Sequence, residues 1–151
     1  GWKLVLVGQP FPGQYMMDNL QELAKKLGVN DRVVFTGAQQ NVDDYYLRAK
    51  IFAFTSSSEG FPNGVGEAMA AGLPVISYDC FTGPAEMINN GTNGFLISLF
   101  DDTMFEICLK KLMSDEALRS LYGQQATDDI QQFAPEKIST FFLKFITSHL
   151  S

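Results

Sequence analysis

Ile51-Phe52-Ala53-Phe54, then Thr55-Ser56-Ser57-Ser58-Glu59-Gly60-Phe61-Pro62-Asn63, then Gly64-Val65-Gly66-Glu67-Ala68-Met69-Ala70-Ala71-Gly72, and then Leu73-Pro74-Val75-Ile76-Ser77 form one unbroken stretch. Ile51 to Phe54 reads as a buried strand, Gly64 to Ala71 as a helix closed by Gly72 with Pro74 beyond it, and Pro74 to Ser77 as the next strand. The span from Glu59 to Glu67 holds too much Gly and Pro to be one continuous helix. Glu59 is therefore expected to leave a strand end, and Glu67 to ride the first turn of the helix that follows. Between them lie the free N–H groups of a helix start, opened by Gly60, Gly64 and Gly66, a geometry that accepts a phosphate.

The same alternation extends in both directions. Lys3 to Val7 reads as a strand stopped by Gly8 and Pro10, and Met16, Leu20, Leu23, Ala24 and Leu27 recur at helical spacing as far as Gly28. Arg32 to Gly37 gives a strand, Val42 to Ala49 a short helix, and Phe95 to Ile97 a strand behind the turn-forming residues 89–94. Apolar strands alternating with helices predict an α/β, Rossmann-like parallel sheet with helices on both faces. Such sheets bind ligands at the carboxyl ends of their strands, where Gly8, Gly37, Glu59 and Asp79 fall. The tail is helical, with one stripe of Met104, Phe105, Cys108, Leu109 and Leu112 and a second of Ile138, Phe141, Phe142, Phe145 and Ile146. Packing of the second stripe on this domain is favoured over contact with a missing one.

With 151 residues and 46% hydrophobic content, the chain is expected to form a single domain over residues 1–151. Its formal charge of −6, from 17 acidic and 11 basic residues, argues against nucleic acid and anionic lipid surfaces as broad electrostatic partners. Cys80 and Cys108 lack metal-ligand spacing and read as free thiols of a reducing, cytoplasmic compartment. No apolar run approaches the roughly 20 residues of a membrane span. The chain begins almost inside a strand pattern without an initiator Met, so it reads as truncated at its N-terminus.

A carboxylate at a helix start can accept both hydroxyls of a ribose diol, as acidic residues do in dinucleotide-binding folds, and Glu67 suits that role. Taken alone, Glu67 would more ordinarily complement a helix dipole or complete a cap, and Glu59 would be an exposed loop acid. The case rests on both acids flanking one Gly-rich helix start at a strand's carboxyl end. Cys80, with no base or second thiol beside it, reads as a small buried residue, Glu86 as a helix-start acid, and the single histidine, His149, carries no role. The pairs Asp43-Asp44, Asp101-Asp102 and Asp128-Asp129 fall at helix starts or on helices and read as solvated helix positions, so no metal and no other cofactor is expected.

The stretch from Ser56 to Ile76 closely resembles the signature of the retaining, nucleotide-sugar-dependent group 1 (family 4 type) glycosyltransferases of GT-B fold. The resemblance extends to Trp2–Gly8, Asp31–Gly37, Tyr45-Tyr46 and Gly91–Ile97, nearly the whole chain. It implies the C-terminal, donor-binding half of such an enzyme, whose N-terminal acceptor domain is absent here. On that resemblance Glu67 would hold the ribose hydroxyls, and Glu59, the catalytic position, would orient the transferred sugar through its hydroxyls. Gly60, Phe61 and Pro62 would line the sugar pocket, with Asn63 beside them, and Gly64 and Val65 would present N–H groups to the diphosphate. The nucleobase would lie over Gly37, Ala38 and Gln39. The loop from Asp79 to Glu86 resembles one in capsule and surface-polysaccharide members, bordering sugar or acceptor.

The expected donor is a nucleotide sugar, UDP-linked, and the expected acceptor a saccharide or lipid-linked saccharide, in polysaccharide biosynthesis on the cytoplasmic side. The full-length protein would be a transferase, membrane-peripheral at the inner face, with its own N-terminal domain as partner. The family normally supplies an Arg and a Lys to the diphosphate from an upstream unit that this chain lacks, so the fragment alone is expected to be inactive. The strand after Trp2 also ends in Gly8-Gln9-Pro10, where relatives often carry Gly-Asp-Gly. The alternatives are a non-catalytic nucleotide-sugar-binding module of the same fold, and a flavodoxin-like phosphate-ligand regulator. The second is disfavoured by the missing acidic cluster at the first strand's end.

Overall fold

A computed structural model describes residues 1–9 and 16–148 of the chain. Pro10, read above as a stop of the first strand, and His149 lie outside the described residues. The chain divides into two compact units, Gly1–Tyr45 and Tyr46–Ser151.

In the first unit, β1 (Leu4–Val7) pairs in parallel with β2 (Val33–Gly37), with α1 (Met16–Lys26) between them in sequence. The register runs Leu4 to Val33, Val5 to Val34 and Leu6 to Phe35, then slips so that Val7 faces Gly37. Gly28, two residues beyond the end of α1, has a φ of 66°, the left-handed conformation that closes a helix. Of its apolar stripe only Ala24 is buried, while Met16, Leu20, Leu23 and Leu27 are exposed. Helix α2 (Asp43–Arg48) leads into the second unit.

The second unit carries a parallel sheet in the order β3-β4-β5, formed by Phe52–Phe54, Val75–Asp79 and Gly94–Ser98. The central strand β4 is buried from Val75 to Tyr78. One apolar cluster joins Val75 to Val65, Ala68 and Met69 of α3 (Asn63–Ala70) and to Ala126 and Ile130 of α6 (Glu116–Ile130). A second joins Ile76 and Tyr78 to Phe105, Cys108 and Leu112 of α5 (Asp102–Ser114) and to Tyr122. Alternate β4 side chains thus feed separate clusters, which is the two-sided cover that a parallel sheet requires.

Local chemistry sets the boundaries. Helix α3 ends in a Schellman pair: Gly72, at φ 78°, donates to Met69 O and Leu73 to Ala68 O, both at 3.0 Å. Asp101 caps α5 by accepting from Met104 N at 2.9 Å, and Asp115 caps α6 by accepting from Leu118 N at 2.8 Å. Gly123 lets α6 approach closely, since a Cβ there would lie 2.2 Å from Gly72 O. The short helix α4 (Pro84–Met87) follows β4. Cys80 and Cys108 are buried free thiols.

The terminal helix α7 (Pro135–Ser148), reached through a 3-10 turn at Gln131–Phe133, departs from expectation. It buries none of its residues, and Ile138, Phe141, Phe142, Phe145 and Ile146 are all exposed. The reading that this stripe packs on its own domain is therefore corrected. Helical spacing identifies an apolar face without saying which surface covers it. No helix among the described residues is long and apolar enough to cross a membrane.

Candidate functional site

The strand β3 ends at Phe54, and the chain passes through Glu59, Gly60 and Phe61 to Pro62, the residue that precedes α3. Asn63 is the first helical residue, which makes Glu67 the fifth. Glu67 thus lies in the second turn, not the first as the glycine pattern suggested, because Asn63 and Pro62 are drawn into the helix start. Pro62 O accepts from Val65 N at 2.9 Å and from Gly66 N at 3.4 Å. The correction weakens the ordinary account of this acid, since dipole and capping effects fade beyond the first turn. No side chain caps this helix start.

What holds the Glu67 carboxylate is tertiary. The Tyr46 hydroxyl donates to Glu67 Oε2 at 3.0 Å. The Tyr46 ring packs edge-to-face on Phe52, with centroids 5.7 Å apart at 61°, and both lie against the cluster that contains Val65 and Met69. Glu67 itself is exposed on α3 and Glu59 is half-buried. Of the two N–H groups read as facing a diphosphate, that of Val65 already donates to Pro62 O. Gly64, the second helical residue, is one of the donors a helix start leaves without an intrahelical acceptor.

The Glu59 loop is clasped from the segment after β4. The Thr82 hydroxyl donates to the Glu59 carbonyl oxygen. Next to it, Gly83 lies at φ 99°, and a Cβ there would sit 2.2 Å from Pro62 Cδ, so the close approach of this segment to Pro62 requires glycine. The adjoining Phe81 is almost wholly exposed and Cys80 is buried. Phe61 reaches the other way and packs edge-to-face on Phe133, with centroids 5.9 Å apart. An open cleft of about 380 Å³ lies along α3, lined among others by Phe61, Asn63, Glu67, Ile130 and Phe133.

Glu59, Gly60, Phe61, Pro62, Asn63, Gly64, Val65 and Glu67 thus occupy one continuous turn and helix start in the second unit. Gly37, Ala38 and Gln39 belong to the first unit, at the end of β2. There Gly37 has φ 68°, the Gln39 amide donates to Thr36 O at 2.7 Å, and Ala38 and Gln39 are exposed. Tyr46, Thr82 and Gly83 are the supporting residues that local patterns could not assign, because each acts across more than twenty positions of sequence. Among the described residues, no three His, Cys, Asp or Glu side chains group closely enough to share a metal ion. Several cations are engaged elsewhere: Lys110 pairs with Glu106, Lys111 stands 5.8 Å over the Phe95 ring, and Arg119 donates to Leu112 O and Met113 O.

The model of the family described as glycosyl transferases group 1 matches residues 1–129. The chain belongs to that family. A relative from Streptomyces coelicolor named exopolysaccharide phosphotransferase is 35% identical over 139 residues, 91% of this chain and 14% of its own length. The amylovoran biosynthesis glycosyltransferase AmsD of Erwinia amylovora is 31% identical over 138 residues, 91% of this chain and 38% of its own. Among solved structures, Anabaena HepE in complex with UDP superimposes with a TM-score of 0.88 at 24% identity, over 97% of this chain and 41% of that one. That likeness shows the fold, an α/β arrangement of the GT-B glycosyltransferases, as the group 1 resemblance implied. The chain spans less than half the length of each of these relatives.

Proposed function

We propose that the full-length protein transfers a sugar from a nucleoside diphosphate sugar, with UDP as the nucleotide, to a saccharide or lipid-linked saccharide, retaining anomeric configuration. This chain is then its donor-binding part. One observation carries the reading: a strand's carboxyl end delivers Glu59 into a glycine-rich turn, and the helix that follows presents Glu67 on a carboxylate already held by Tyr46. The UDP bound to HepE supports the nucleotide, and the lipopolysaccharide core biosynthesis in the name of LpsE of Rhizobium meliloti, 30% identical over 87% of this chain, supports the acceptor class. The phosphotransferase name of the streptomycete relative weighs less, because the match occupies 14% of that protein.

In this reading Glu67 accepts the ribose diol, Glu59 orients the sugar through its hydroxyls, and Gly60, Phe61, Pro62 and Asn63 shape the sugar pocket. The bond between the anomeric carbon and the phosphate oxygen breaks, and the electron pair leaves with the diphosphate. The acceptor hydroxyl bonds to the anomeric carbon from the face the diphosphate vacates. Gly64 N–H, and Val65 N–H in competition with Pro62 O, stabilise the charge as it develops. Glu59 works by positioning, not as a proton donor of glycosidase type. In this reading no metal is required.

Positive charge for the diphosphate comes from outside this chain, which is inactive alone. The exposed apolar face of α7 is the surface offered to the protein's own N-terminal domain, and the reaction runs on the cytoplasmic side, at the inner face of the membrane. A screen of sugar nucleotides with the full-length protein should find turnover of a UDP-sugar, with Glu59→Ala lowering turnover far more than UDP affinity. Equal losses of turnover and UDP affinity in that variant would remove the sugar role. UDP binding without turnover of any donor would favour a non-catalytic module.

A further inference from the structure

Glu67 is exposed on α3, and a free glutamate in that position would sample several rotamers. Here its Oε2 accepts the Tyr46 hydroxyl at 3.0 Å. Tyr46 is itself fixed: its ring is half-buried, packs edge-to-face on Phe52 of β3, and Phe52 stacks on Phe54 at 6.1 Å between centroids. The hydroxyl also reaches the helix start, lying 3.5 Å from where a Gly64 Cβ would be. An aromatic packed against the core therefore holds one oxygen of a surface carboxylate and leaves the other oxygen open. A carboxylate accepts through both oxygens, so the bond to Oε2 does not exhaust it.

From this geometry we infer that Tyr46 is a positioning residue, which presets the Glu67 carboxylate to accept a vicinal diol and so sets preference for ribose over deoxyribose nucleotides. The inference rests on the assignment of Glu67 to the ribose in the proposed function. Ordering the side chain before the ligand arrives removes part of the entropy cost of binding, which corresponds to about threefold to tenfold in affinity. The effect belongs to ground-state binding, so it acts on KM and not on kcat.

The test is calorimetric titration of the full-length protein with UDP and with 2′,3′-dideoxy-UDP, in wild type, Tyr46→Phe, Glu67→Ala and the double variant. Tyr46→Phe keeps the ring on Phe52 and removes only the hydroxyl. It should bind UDP about threefold to tenfold more weakly, bind the dideoxy nucleotide as wild type does, and raise KM for the donor at unchanged kcat. Adding Tyr46→Phe to Glu67→Ala should cost nothing further. Unchanged UDP binding in Tyr46→Phe, or equal weakening of both nucleotides, would overturn the positioning role while Glu67→Ala still loses UDP. Wild-type UDP affinity in Glu67→Ala would instead overturn the ribose assignment itself.

Discussion

The strands β1 and β4 are both short, apolar and paired in parallel, yet they end in opposite environments. Leu4, Val5 and Val7 of β1 are 50%, 43% and 38% exposed, whereas Val75, Ile76 and Ser77 of β4 are fully buried. Strand composition does not separate them. Cover does: β4 has β3 and β5 on either edge and clusters from α3, α5 and α6 at its faces. Among the described residues β1 has a single strand partner, and α1 contributes one buried residue, Ala24. The candidate carboxylates stand beside the covered sheet, Glu59 in the loop after β3 and Glu67 on α3, where packing of the neighbouring Tyr46 can hold a side chain in one geometry. The loop read as receiving the base ends the less covered pair.

The largest expected effect breaks the covered region. Met69, fully buried on α3, should cost about 2–5 kcal/mol when replaced by Ala. Val5→Ala on β1 should cost under about 0.5 kcal/mol, as at other exposed positions. Urea unfolding followed by circular dichroism measures both, and similar costs would dissolve the contrast.

A middling effect lies at the end of β4. The Tyr78 hydroxyl donates to Asp102, and that bond, with burial and the charges of Asp102 and Asp101, pushes its pKa up to about 12 from an ordinary 10.0. The folded state therefore keeps a proton that the unfolded state releases. Stability from this source is full below pH 10 and falls as pH rises through 10 towards 12. Urea midpoints between pH 9 and pH 11.5 should decline less in Tyr78→Phe than in wild type, and parallel declines would contradict the assignment.

The smallest effect is on the outer face of α5. Glu106 and Lys110 pair there at 2.5 Å, with side chains 64% and 71% exposed, and the lysine holds the carboxyl below its ordinary range. Lys110→Ala should leave stability nearly unchanged, because solvent screens such pairs. A larger loss in a thermal melt would mean that covering helices draw more from their exposed faces than from their buried ones.

Much of this was legible in the sequence, and the exceptions have physical causes. The five strands, α3 with its Gly72 terminus and the Glu59-to-Glu67 turn follow local signals of apolar runs and glycine stops. Helix α6 left no comparable stripe, because its buried side includes Gly123 and Ala126, small residues that permit close approach without raising hydrophobicity. Glu67 was read one residue too early in its helix, in the first turn and not the second, because Asn63 looks like loop yet starts the helix. Tyr46 and Thr82 could not be assigned their contacts, since those depend on β3 and β4 having met. The α7 stripe was visible and its exposure was not, for the same reason that β1 and β4 look alike.

The central claim is that Glu67 and Glu59, eight positions apart across the loop and helix start, hold different parts of one donor. Titration of UDP into the full-length protein, compared among wild type, Glu67→Ala and Glu59→Ala, tests it most directly. The account predicts at least about tenfold weaker UDP binding in Glu67→Ala, the scale of a lost ligand hydrogen bond to a charged group, and near wild-type binding in Glu59→Ala. Undiminished UDP affinity in Glu67→Ala would contradict it.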